Sequence, residues 1–189
     1  MKNIPLRRQK VKPNRVSKWN IYYFACLKPI IMTELTAKYD DRKFIIYNSD
    51  TVYGSIAFES DNLSARINYG NNELLASQDP SDKNIVITRE GTTLFKFKFD
   101  YLWGGAEIMQ DGADSGFDIK GRWFKPGTRL TDEHDTDLAV IVTEESIVPQ
   151  LRINVIDEDL SPVMVLASIY YHIYLSGGKL RSLLMAVSR

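Results

Sequence analysis

Five cations and one indole carry the densest potential chemistry in this chain: Lys96, Lys98, Lys120, Arg122, Lys125 and Trp123. Between Leu94 and Tyr101, Phe95, Phe97 and Phe99 alternate with Lys96 and Lys98, and period-two alternation puts the rings on one face of a strand and the lysines on the other. The stretch Phe117 to Phe124 adds Lys120, Arg122 and Trp123. If neighbouring strands bring these two wet faces together, the cations form one patch. Ammonium and guanidinium groups would meet phosphate there, with an aromatic ring at head-group depth. The competing expectation is an ordinary solvated exterior whose lysines blunt aggregation.

Other constellations are weaker. No Gly-x-Ser-x-Gly, P-loop, dinucleotide fingerprint, His-Glu-x-x-His or Cys-x-x-Cys is present, so the expectation is a non-enzymatic protein with no cofactor. His134 stands among Asp132, Glu133, Asp135 and Asp137, an oxygen-rich set with one imidazole, but consecutive acids on a hairpin tip face different ways. Asp111, Asp114 and Asp118 surround Gly112 and Gly116, where turn formation is the better reading than calcium binding. No metal is expected. His172 falls in an apolar run and reads as a hydrogen-bonded core residue. Cys26, the one cysteine, has no neighbouring cation or histidine and reads as an inert thiol in a reducing compartment.

The formal net charge of zero conceals a segregation. Residues 1–20 carry Lys2, Arg7, Arg8, Lys10, Lys12, Arg15 and Lys18 and no acid, and Lys179, Arg181 and Arg189 close the chain. Such tails are either solvated or drawn to polyanionic surfaces. The apolar stretch Ile21 to Met32 is interrupted by Lys28 and Pro29 and lacks a cleavage site, which argues for a first strand or edge element over a signal peptide. With 189 residues, 44% of them hydrophobic, one large globular domain over 21–189 is expected behind a basic extension at 1–20.

The elements that must position the cations follow from a turn signal that returns about every 21 residues: Asn48-Ser49-Asp50, Gly70-Asn71-Asn72, Arg89-Glu90-Gly91, Asp111-Gly112, the loop around Asp135, and Asp157-Glu158-Asp159. Alternating apolar runs flank these signals, giving roughly ten to twelve strands. After Asp159 the pattern changes. Ser161 as N-cap, Pro162 at the first position and Gly177-Gly178 beyond predict a helix over 162–176, apolar on nearly every side. At about 1.5 Å per residue it spans about 22 Å, short of the roughly 30 Å of a bilayer core, so burial in protein is expected rather than a transmembrane span. A barrel of about twelve strands is too wide for its own side chains to fill. The fold expected is a mainly β, closed antiparallel barrel of about twelve strands, a meander of hairpins around that buried C-terminal helix.

The turn repeats, the block Phe117-Asp118-Ile119-Lys120-Gly121-Arg122-Trp123-Phe124, the hairpin from Leu130 to Val142, and the closing Val155-Ile156-Asp157 with its hydrophobic helix resemble the tubby C-terminal-like superfamily. That group holds tubby proteins, phospholipid scramblases and LURP-one-related proteins, and the resemblance is greatest to its bacterial, LURP-like branch. It covers about residues 40–176 and implies a twelve-stranded barrel around a central helix. It also implies head-group binding through clustered cations. The Lys-x-Arg spacing of Lys120 and Arg122, and of Lys179 and Arg181, fits such a cluster, although no complete head-group pocket aligns. The function expected is peripheral binding to anionic phospholipid by a cytoplasmic protein, through Lys96, Lys98, Lys120, Arg122, Trp123 and Lys125. The alternative is a protein-interaction or regulatory module with no lipid ligand. Nucleic acid is not an expected partner.

Overall fold

The computed structural model describes residues 32–176 except 60, 62, 101–103, 122–126, 145 and 147. The basic extension at 1–20, the stretch up to residue 31, Cys26, and Lys179 and Arg181 lie outside the described residues. Twelve strands and one helix follow in order: β1 (Thr33–Asp40), β2 (Lys43–Asn48), β3 (Thr51–Phe58), β4 (Ala65–Tyr69), β5 (Asn72–Gln78), β6 (Ile85–Arg89), β7 (Thr92–Asp100), β8 (Gly105–Gln110), β9 (Ala113–Lys120), β10 (Thr128–Thr131), β11 (Asp137–Glu144), β12 (Gln150–Val155) and α1 (Pro162–Leu175). Every strand pairs antiparallel with its neighbours in sequence, and β1 pairs with β12, from Thr33 opposite Val155 to Lys38 opposite Gln150, to close the barrel.

The tight turns form because their residues tolerate positive φ. Glu90-Gly91 (φ 51° and 79°) and Asp111-Gly112 (φ 52° and 80°) are two-residue hairpin loops with both residues left-handed, the geometry that matches strand twist. In a meander, alternate turns share one end of the barrel, so a period of about 21 residues is two strands and two turns. The last signal, Asp157-Glu158-Asp159, is not a hairpin: it leads from β12 into α1 at that same end. Register shifts between Ile46 and Tyr47, Ile87 and Thr88, Ile108 and Met109, and Leu130 and Thr131 fall in four of the hairpins closed there, and bulges increase local twist and bend.

Inward positions alternate along the strands and are apolar: Phe44 and Ile46, Ile56 and Phe58, Ile85 and Ile87, Phe95 and Phe97, Leu151 and Ile153. On β3 the inward residues are Gly54, Ile56 and Phe58, whereas Val52 is 60% exposed. Helix α1 starts where Ser161 accepts a hydrogen bond from the Met164 amide, with Pro162 in the first turn. All ten residues from Met164 to Ile173 are buried. Their contacts go round the ring: Tyr170 stacks on Phe58 of β3 at 6.0 Å and Tyr171 on Phe97 of β7 at 5.3 Å. His172 meets Thr128 of β10 through Nδ1 at 2.7 Å and Thr143 of β11 through Nε2 at 2.9 Å. Only a helix inside the barrel touches strands on all sides. His172 is thus a hydrogen-bonded core residue.

Gly54 leaves room for both the helix and the neighbouring strand β4. A Cβ there would stand 2.9 Å from the Asn68 carbonyl oxygen and 3.0 Å from Leu166 Cδ1. Gly54→Val should overpack the lumen and lower stability by about 1–3 kcal/mol, read as a lower urea midpoint at unchanged slope. An unchanged midpoint would mean that the helix does not pass this close to β3.

Candidate functional site

The three described cations singled out from sequence do not lie on adjacent strands. Lys96 and Lys98 project from the outer face of β7 and Lys120 from β9, but β8 lies between, pairing Lys98 with Glu107 and Glu107 with Asp118. The expected adjacency of the two wet faces is therefore corrected: a whole strand separates them, and it brings an acid. The alternation of Glu107 with the buried Ala106 and Ile108 is the sequence signal for β8. Arg122, Trp123 and Lys125 lie outside the described residues.

Each described cation of the set is matched by carboxylates. Lys96, 31% exposed, donates to Asp79 Oδ2 at 2.8 Å and stands 2.7 Å from Asp82 Oδ2. Both acids belong to the β5–β6 loop, which Asp79 shapes further by accepting from the Ser81 amide and hydroxyl, and Asp82 by accepting from the Asn84 amide. Lys96 hydrogen bonding, then Ser81, hold the Asp79 carboxyl well below the usual carboxylate range. Lys96, with Asn84, lowers Asp82, and the two acids raise the Lys96 ammonium. Lys96 is thus a clamp that pins a loop to the barrel wall. Lys98 pairs with Glu107 at 3.1 Å and Lys120 with Asp135 at 2.7 Å. Arg129 pairs with Asp137 and approaches Asp135 at 3.9 Å. Burial raises the Asp118 carboxyl, against the nearby Lys120 and with Asp114, Glu107 and Asp135 adding repulsion.

The acidic loops have structural employment. Asp132 Oδ1 accepts from the His134 and Thr136 amides, which lower its pKa, and Asp114 Oδ1 accepts from the Gly116 amide. Among the described residues no three His, Cys, Asp or Glu side chains converge on a metal position. The six connections at the tight-turn end carry Asp50, Glu90, Asp111, Asp132, Glu133, Asp135, Asp157, Glu158 and Asp159 and no lysine or arginine. Residues 32–176 have a net charge of −11, since eleven cations and no acid fall before and after them.

The described surface carries cavities on the outer wall and at one end of the barrel. A groove of about 520 Å³ on the outer wall is lined by Asp82, Asn84, Thr93, Lys96, Lys98, Met109, Asp111 and Gly112. It holds two of the six residues named from sequence. A second cavity of about 330 Å³ lies at the opposite end from the tight turns, among Gln78, Lys83, Phe99, Asp100, Gly104, Tyr174 and Leu175. Sequence reasoning names none of Asp79, Asp82 and Glu107, because only the register and the loop path bring them to the lysines. No helix among the described residues is long and apolar enough to cross a membrane. No family model, curated protein or solved structure matches this chain.

The clamp titrates at both limits. The depressed acids contribute stability that is complete above the ordinary carboxylate range and fades as pH falls through their folded values. The raised lysine contributes below its ordinary value and loses that contribution as pH rises through its folded value. Lys96→Met should therefore lower Tm by a steady amount between about pH 5 and 9, and the gap should close below about pH 4. A gap that persists unchanged into acid would show that the loss is one of packing alone.

Proposed function

We propose that this chain is a non-enzymatic, tubby-like binding barrel that meets an anionic phospholipid surface, on the cytoplasmic side, through its cationic sequence segments rather than through the barrel wall. The observation that carries this reading is the charge segregation: residues 1–31 hold eight cations and no acid, while residues 32–176 are net −11. Each cation near an anionic bilayer contributes about 1 kcal/mol, whereas an acidic wall whose Lys96, Lys98 and Lys120 are already paired is repelled. A lumen filled by α1 supports a role for the outside of the molecule. The closed twelve-strand meander around a C-terminal helix is the architecture that the tubby-like resemblance implies.

A second reading, a protein-interaction or regulatory module with no lipid ligand, is favoured by the acidic tight-turn end, where nine carboxylates stand without a cation in the connecting turns. The two readings separate in co-sedimentation with neutral and anionic liposomes at low and high salt. The full chain should pellet with anionic vesicles at low salt only. A variant with Arg7, Arg8, Lys10, Lys12 and Arg15 changed to glutamine should stay in the supernatant, and Lys96→Glu with Lys98→Glu should still pellet. A full chain that never pellets removes the lipid reading and leaves the protein partner. Loss of pelleting in the wall variant would return the contact to the barrel.

A further inference from the structure

We propose that the groove outside β7 and β8 binds a short extended peptide segment carrying one acidic and one basic side chain. This goes beyond the vesicle contact and uses different residues. At about 520 Å³ the groove has the size of a small-ligand cleft. The β5–β6 loop, with Asp82 and Asn84, forms one wall because the Lys96 clamp folds that loop against the barrel. The Asp111-Gly112 turn forms the other. Met109 and the methylene stems of the two lysines give the floor apolar surface.

The charges in the groove differ in availability. Lys96 is committed to Asp79 and Asp82. Lys98 is exchangeable: it and Glu107 are 59% and 55% exposed, and such a surface pair contributes at most about 1 kcal/mol. An incoming carboxylate can take the place of Glu107 at little cost. Asp111 is exposed and has no ion pair among the described residues. Lys98 stands opposite Glu107, four positions before Asp111 along the chain, so the exchangeable lysine and Asp111 are separated by about 13 Å, or about four residues of extended chain. A wholly anionic ligand would face Asp82 and Asp111 in the lining, with both lysines already paired to carboxylates. A wholly cationic one would leave Lys98 competing for Glu107. A segment with one charge of each sign, set apart over an apolar middle, satisfies both ends.

Fluorescence polarisation with labelled hexapeptides tests this. The probes place one lysine and one glutamate four positions apart in both orders, separated by three valine or threonine residues, beside all-lysine and all-glutamate controls. One mixed order should bind, and less well in high salt. Asp111→Asn and Lys98→Met should each weaken binding about fivefold, while Glu107→Gln, which frees Lys98, should tighten it. Unchanged melting curves of these three surface variants keep folding out of the comparison. Equal binding of the mixed and single-sign peptides, or binding indifferent to all three substitutions, overturns the proposal. So does displacement of the bound peptide by phosphatidylethanolamine vesicles, which would assign the groove to a zwitterionic head group.

Discussion

The constraint on which the rest depends is the filling of the lumen. Twelve strands enclose more space than their own inward side chains can occupy, and voids forfeit dispersion contacts as surely as exposed apolar area forfeits hydrophobic stabilisation. The chain meets this with α1, whose residues from Met164 to Ile173 are buried without exception. Each fully buried large side chain there contributes about 1.5–3 kcal/mol relative to exposure. Gly54 is needed because β3, the Asn68 carbonyl of β4 and Leu166 converge, and Phe58 stacks on Tyr170 between the same strand and the helix. A lumen occupied in this way leaves recognition to walls, loops and tails.

Polar groups inside the lumen set the helix's position rather than its attraction. His172 spans from Thr128 on β10 to Thr143 on β11, and Ser168 returns its hydroxyl proton to the Met164 carbonyl. Rotating or sliding α1 would strand both imidazole nitrogens away from water, at about 1–3 kcal/mol for each unsatisfied group. The apolar surface of the helix is nearly uniform and would accept many rotations. The histidine accepts few.

Outside, electrostatics follow from topology. An antiparallel meander sends alternate turns to one end, so acids that recur every second turn accumulate there. The same meander inserts β8 between the lysine-bearing β7 and β9. Lys96, Lys98 and Lys120, which look like parts of a cluster in sequence, become separate ion pairs, one of which, at Lys96, holds the loop that shapes the outer groove.

Much of the architecture was legible in the chain itself. Strand alternation, the two-strand period of the turns, the Asp111-Gly112 hairpin and the Ser161-Pro162 helix start are local, and local sterics and hydrogen bonding decide them. The all-round apolar character of 162–176 determined that the helix must be buried, and its length that a bilayer was not the place. The candidate site was legible only as residue types. Whether Lys96 and Lys98 are free, which acids reach them and whether Lys120 joins them depend on strand order, register and the path of the β5–β6 loop. Asp79 is 17 positions from Lys96, yet the two are hydrogen-bonded. Pairing at that separation is fixed by the register of the β5, β6 and β7 hairpins and by the path of the β5–β6 loop, which residue types alone do not specify.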